Sequence, residues 1–322
     1  MADSRNRPST DAVTQAVAAC FSRHTEPGDS LTVAFSGGLD STVLLHTARS
    51  VAVAAKLDIS ALHVHHGLSC NADAWANSCS VVCKQLGIPI EIQRVEVPAR
   101  SGEGIEAAAR RLRHKVFSDH PADWILLAHH ADDQSETVLH NLLRGTGVRG
   151  AAAMPEVRGR VLRPLLNLGR RVLEAYAENQ GLTWVDDESN TDLRYTRNFL
   201  RRETIPAIEA RFPRARDQLA AAATHFAEAD ALLEELAALD LGSFRPEFPL
   251  PLALFRQLSD ARARNLLRAM LGWHKLQPPD ERRLREFVRQ LQTAGNDRHP
   301  RLDLAPYALW CEAASLHLRI PD

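Results

Sequence analysis

LTVAFSGGLDS, residues 31–41, runs from a short apolar stretch through two glycines into a helical pattern. An apolar run of this length that ends in Ser-Gly-Gly reads as a buried strand followed by a tight turn. The same alternation continues on both sides. Residues 11–24 have the spacing of a short amphipathic helix, and residues 40–55 that of a longer one. Strand patterns follow at 59–64, 90–97 and 124–128. Helical patterns lie between and after them, at 74–86 (closed by Gly87), 104–118 and 137–144 (stopped by Gly145). Strand and helix alternate four times. The expected fold is therefore α/β, a parallel sheet with helices on both faces. Ligands of such sheets sit beyond the carboxyl ends of the strands.

Further along, residues 145–155 (GTGVRGAAAMP) read as a loop, 161–166 as a strand and 170–179 as a helix. Residues 186–190 (DDESN) have polar turn chemistry. Residues 197–241 are mostly helical, with interruptions near Pro206 and Pro213. Two helices at 261–271 and 280–291 and strand-like alternation at 301–305 and 309–320 make a small α/β C-terminal domain. The expected division is 1–215 for the first domain, 216–242 for a helical linker and 243–322 for the last domain. The chain has 322 residues, 45 % hydrophobic and 25 % charged, the mix of a globular protein with a substantial core. No apolar run reaches the roughly 18 residues of a membrane span. The first 15 residues lack the apolar segment of a secretory signal. Five irregularly spaced cysteines fit a reducing cytoplasm better than a disulfide framework. Net charge is −1, but residues 144–216 hold 14 Arg, no Lys and 9 acidic residues. That local surplus reads either as a nucleic-acid face or as a solvated surface.

The chemistry concentrates in Ser36, Gly37, Gly38, Leu39, Asp40 and Ser41. Glycines let the backbone turn sharply and aim its N–H groups at an anion, and the following helix start adds partial positive charge. Ser36 and Ser41 bring hydroxyl donors. The loop is not a Walker A motif, because GxxxxGK[ST] is absent. The structural reading of Asp40 alone is a helix cap. Asp133 and Glu136 are spaced i,i+3 at a helix start, so both can face one ligand or simply favour the helix dipole. Asp132 reads as a cap. Arg110 and Arg113 share a helix face, either to balance phosphate charge or as a solvated stripe with Arg111. His63, His65, His66, His129 and His130 invite a metal reading, but no carboxylate or cysteine arrangement around them completes a zinc shell. Cys79 and Cys83 lie one helical turn apart and read as packing.

SGGLDS resembles the SGGxDS signature of the PP-loop (N-type) ATP pyrophosphatases. Further motifs narrow this: HVHHGL (63–68), GIEAAAR (104–110), AHHADDQSET (128–137), RGTG (144–147), DESN (187–190) and Arg197-Asn198. Together, across about the first 200 residues, they resemble the tRNA(Ile)-lysidine synthetase family. His114 stands where that family is expected to carry Tyr. CxxC is missing, unlike the sulfur-inserting tRNA enzymes of the superfamily that rely on such a pair.

The resemblance implies ATP and Mg²⁺ as cofactors, with Asp40 near the Mg²⁺ and the loop residues and His66 at the phosphates. It implies a minor tRNA(Ile) with a CAU anticodon and free L-lysine as substrates. The cytidine O2 would attack the α-phosphate of ATP, and the lysine amine would then displace AMP at carbon 2. The product pairs with A instead of G and is charged with isoleucine instead of methionine. Asp133 and Glu136 would select lysine, Arg110 and Arg113 would face the nucleotide, and Arg197, Asn198 and Arg201 the active site or the tRNA. The last domain would grip the tRNA body. The family often carries a further C-terminal domain, for which the chain leaves no room, and its resemblance allows a homodimer. Two alternatives stay open: another amidating or thiolating PP-loop ligase, and a non-catalytic adenine-nucleotide sensor.

Overall fold

The computed structural model describes residues 11–98, 104–185, 192–293 and 299–320. The 186–190 turn, including the DESN motif, lies outside the described residues. The chain divides into two compact units, Met1–Ala227 and Glu228–Asp322.

The first unit opens with α1 (Asp11–His24), β1 (Ser30–Ala34), α2 (Leu39–Ala55), β2 (Asp58–His65), α3 (Ala72–Leu86) and β3 (Ile90–Arg94). α4 (Ile105–Asp119), β4 (Trp124–Leu126), α5 (Ala131–Leu143) and the single turn α6 (Val148–Ala151) follow. Then come β5 (Val157–Arg158), β6 (Val161–Leu162) and α7 (Arg170–Asn179). α8 (Thr196–Phe199), a π turn (Leu200–Thr204), α9 (Ile205–Arg211) and α10 (Ala215–Leu241) complete the helical stretch, and the division between units falls inside α10. The sheet order is β3-β2-β1-β4-β6-β5, parallel except for β5.

Strands buried on both faces explain the near-continuous apolar runs. On β4, Leu126 enters the core built with α1, α2 and α7, whereas Ile125, and Leu127 just after the strand, enter the second core with Val116 and Phe117 of α4. Cys79 and Cys83 are both buried in the first core. The chain moves outward from β1 to β3, then returns to the other side of β1 at β4. That reversal opens a crevice between the carboxyl ends of β1 and β4.

The second unit has β7 (Leu250–Pro251), α11 (Leu252–Arg256), α12 (Asp260–Trp273), α13 (Glu281–Thr293), β8 (Arg301–Leu304), β9 (Tyr307–Glu312) and β10 (Ser315–Arg319). Its sheet is antiparallel, in the order β7-β10-β9-β8. Leu284, Phe287, Val288 and Leu291 form the buried stripe of α13 and pack with α12 and the sheet. No helix among the described residues is long and apolar enough to cross a membrane.

Three local expectations need correction. α5 starts at Ala131, not at residue 137. The strand expected at 309–320 is a hairpin, turned by Ala313 and Ala314 at φ 48° and 58°. Pro206 does not break its helix. It lies in the first turn of α9, where its missing N–H costs little, and the preceding π turn absorbs the change of register.

Candidate functional site

The loop at the end of β1 is organised by its own short groups. Gly37 adopts φ +85°, and a Cβ there would stand 3.0 Å from the Cys79 Sγ beneath it. Its carbonyl accepts the Val185 N–H at 2.9 Å. The Ser36 and Ser41 hydroxyls lie 3.0 Å apart, and Ser41 donates to the Gly38 carbonyl at 3.0 Å. Thus the hydroxyls knot the loop together. Leu39 is buried in the core and contributes only backbone to the crevice. Gly38 caps α2 without a side chain, leaving that helix start open to an anion.

Facing it, the start of α5 carries buried charge. His130 is the N-cap. Its Nδ1 accepts the Asp132 N–H at 3.2 Å, while Asp133 Oδ2 accepts the His130 N–H at 3.1 Å. In the neutral ring the proton is therefore on Nε2, 3.5 Å from Asp40 Oδ2 and 3.4 Å from Asp133 Oδ2. Asp40 Oδ1 and His130 Nε2 are buried without a hydrogen-bond partner. Asp132 caps a different helix from the one expected. Its carboxylate accepts the N–H of Arg170 in the first turn of α7 at 3.0 Å and pairs with Arg216 at 3.1 Å.

Asp133 and Glu136 are joined by Arg201, which stands in the π turn. Arg201 Nε donates to Glu136 Oε1 at 2.5 Å. Its Nη2 donates to Asp133 Oδ1 at 2.9 Å and Glu136 Oε2 at 3.0 Å. A π turn inside a helix often marks a functional position. One turn earlier, Arg197 donates to Thr137 Oγ1 at 2.9 Å. Asn198 donates to the Asp192 carbonyl at 2.9 Å.

The surroundings separate the two carboxyls. Burial, the largest influence on each, favours the protonated acid. On Asp133 it is outweighed by His130, His129 and Arg201, so that carboxyl is held below its ordinary value. On Glu136, whose side chain is fully buried, burial prevails over Arg201, with Asp133 adding to it, and the carboxyl is raised. Burial also opposes charge on His130, but Asp40, Asp133 and Asp132 hold its value above the ordinary range. Arg201 is stabilised as a cation by both acids.

A rim of guanidinium groups completes the crevice. Burial, Arg113 and the neighbouring histidines pull His66 down to about 4. Burial and the charges of Arg163, Arg197 and Arg110 pull His129 down to about 3, against Asp133. Arg110 and Arg113 of α4 therefore bear on the strand ends. Arg163, just after β6, was not singled out from the sequence. It is 7 % exposed, donates to His129 Nδ1 at 3.3 Å and to the Pro155 carbonyl at 2.8 Å, and is pulled down to about 10 by burial, Arg158 and Arg110. Its signal was an arginine inside the apolar run VLRPLL at a strand end. His63 is a packed core-edge residue, with its ring at 2.9 Å from the Phe35 carbonyl. Just after the RGTG segment, Gly150 of α6 passes so close to the Thr146 side chain that no Cβ fits there.

Beside the acids lies a cavity of about 1020 Å³, lined by His130, Asp132, Glu136, Arg201, Arg202 and Arg214 among others. The locally basic stretch seen in the sequence supplies much of this wall.

Comparison with known proteins agrees with this arrangement. Residues 9–208 match the model of the PP-loop domain, and residues 250–317 match that of the TilS substrate binding domain. The tRNA(Ile)-lysidine synthase of Nitrosomonas europaea is 41 % identical over 322 aligned residues, covering 97 % of this chain and 69 % of that protein. The enzyme of the same name from Pseudomonas aeruginosa is 49 % identical over 261 residues, covering 74 % of this chain and 58 % of its own length. The chain thus spans between 58 % and 69 % of the length of these two relatives. Among solved structures, the U34-tRNA thiolase of Methanococcus maripaludis superposes with a TM-score of 0.57 at 14 % identity, over 68 % of this chain and 79 % of the thiolase, a likeness of fold alone. With the glycine loop and the acid pair at the strand reversal, these matches make the chain a member of the tRNA(Ile)-lysidine synthase family, built on a PP-loop domain.

Proposed function

We propose that this chain joins free lysine to carbon 2 of the wobble cytidine in the CAU anticodon of a minor tRNA(Ile), in two steps. The cytidine O2 attacks the α-phosphate of ATP and pyrophosphate leaves. The lysine ε-amine then attacks carbon 2, and the oxygen departs with AMP. The glycine loop holds the pyrophosphate through backbone N–H groups and the open start of α2. Hard oxygen donors at its mouth suit Mg²⁺. Asp40 Oδ1, buried without a partner, is the oxygen that would hold it. When bound with ATP, the ion offsets pyrophosphate charge.

The observation that carries the reading is the divided acid pair on Arg201. Keeping a free lysine amine neutral at pH 7 costs roughly 4–5 kcal/mol against its ordinary pKa of about 10.4. Two carboxyls pushed apart in pKa divide that work. Asp133, held ionised, orients the ammonium. Glu136, raised, accepts the proton as attack proceeds. An incoming ammonium shares these acids with Arg201, so Arg201 serves the lysine site rather than the tRNA backbone. Arg110, Arg113, Arg163 and His66 face the nucleotide or its adenylate. Residues 250–317 grip the tRNA, largely through phosphates.

The test is nucleoside analysis of tRNA(Ile) after incubation with ATP and labelled lysine, with pyrophosphate followed in parallel. Lysidine and tRNA-dependent pyrophosphate are expected. Pyrophosphate release without tRNA would indicate a small-molecule ligase, and binding without turnover a sensor. ADP and orthophosphate as products would overturn the loop assignment.

A further inference from the structure

Outside the crevice, α1 places Cys20 and His24 at i,i+4 on one face, and Glu156, the residue before β5, reaches the same point. One donor atom from each lies within 4.8 Å of the other two, the one such trio of potential metal ligands found among the described residues. His24 Nε2 and Glu156 Oε2 are 3.4 Å apart. A tetrahedral zinc ion with bonds of about 2.0–2.3 Å keeps its ligand atoms roughly 3.3–3.8 Å apart. The His24–Glu156 pair thus already stands at coordination distance, with the Cys20 sulfur no more than 4.8 Å from either donor.

We propose that Cys20, His24 and Glu156 form a site for a divalent ion of the zinc class, with water in the fourth position. Thiolate, imidazole and carboxylate together favour zinc over Mg²⁺. The ionised ligands carry two negative charges, which match the ion. Cys20 is fully buried, whereas the side chains of His24 and Glu156 are 25 % and 28 % exposed and leave a way in from solvent. Arg23 holds Glu156 Oε1 at 2.6 Å, an outer contact that leaves Oε2 turned toward His24. Without an ion, burial and the Glu156 carboxylate push the Cys20 thiol up to about 12, so the sulfur keeps its proton. The bound ion replaces that proton, and affinity rises with pH. It would also clamp α1 to the segment that positions Arg163. The Glu156 carbonyl accepts the Arg163 N–H at 2.9 Å, and the Pro155 carbonyl accepts its guanidinium at 2.8 Å.

The experiment uses the full chain stripped with EDTA and titrated with Zn²⁺ against a chromogenic chelator, and with Co²⁺ by absorption. One equivalent should bind, and Co²⁺ should give a thiolate-to-metal band. H24A and E156Q should each weaken Zn²⁺ binding at least about tenfold, and C20S should abolish the band. His24 and Glu156 are partly exposed, so their variants keep the test valid if C20S fails to fold. Cys79 lies 3.5 Å from His63, a second thiol–imidazole pair, and C79S should leave binding unchanged. No bound equivalent, undiminished affinity in both H24A and E156Q, or loss of the band in C79S would overturn the proposal.

Discussion

The glycine loop at residues 36–41 and the acid-rich start of α5 at residues 130–136 end neighbouring strands of one sheet, and they are held in opposite ways. The loop is nearly self-contained. Its hydroxyls bond to its own backbone and to each other, and glycine supplies the conformation at Gly37. The start of α5 depends on distant partners. Asp133 and Glu136 take Arg201 from 65 or more residues away, and Asp132 takes Arg170 and Arg216. A turn built of glycine and serine that offers N–H groups needs little besides backbone shape. A buried cluster of carboxylates needs cations, because an unpaired buried charge is costly.

The contrast is sharpest at Arg201. Replacing it with Gln leaves Asp133 and Glu136 buried without their cation and should cost about 3 kcal/mol, read by urea unfolding. A loss under 1 kcal/mol would mean that the acids are held by the local helix after all. D133N should lower lysine transfer about 100-fold or more while adenylation, read as tRNA-dependent pyrophosphate, partly survives. Equal loss of both steps would erase the division of labour between the two walls. G37A forces a side chain into a left-handed conformation and against Cys79, and should cost roughly 1–2 kcal/mol. Here pyrophosphate release should fall before lysine use does. An unchanged unfolding midpoint would show that the loop tolerates another shape.

The smallest effects are in pH dependence. Glu136 has a folded value above its ordinary 4.5, so its contribution to stability worsens as pH climbs from 4.5 through the raised value. Asp133 has a folded value below its ordinary 3.8. Its contribution is present above 3.8 and is lost as pH falls through the lower value. In unfolding series against pH, the advantage of wild type over E136Q should shrink with rising pH, and its advantage over D133N should grow. Parallel curves for the two variants would contradict the separation on which the proton assignment rests.

Much of the first unit was legible because its signals are local. Apolar runs gave β1, β2 and β4, and Gly87 closed α3 in a left-handed cap as expected. The apolar period places the start of α5 at residue 137, because ADDQSE carries none and its cap is a histidine rather than Ser, Thr, Asp or Asn; only the acidic spacing of Asp133 and Glu136 points to the earlier start. The β9–β10 turn was missed for a similar reason. Two alanines hold positive φ where Asn-Gly is usual.

By itself, the sequence determined the strand–turn–helix unit, the alternation of strands and helices that makes a parallel sheet, and the residue types at the strand ends. All of these follow from periodicity and from glycine, which act over a few residues. Only the tertiary structure decided that Arg201 and Asp133 meet, that Arg163 is buried against His129, and that Cys20, His24 and Glu156 converge. Such pairings join residues far apart in the chain, and their energies come from burial and mutual charge, which no local pattern records.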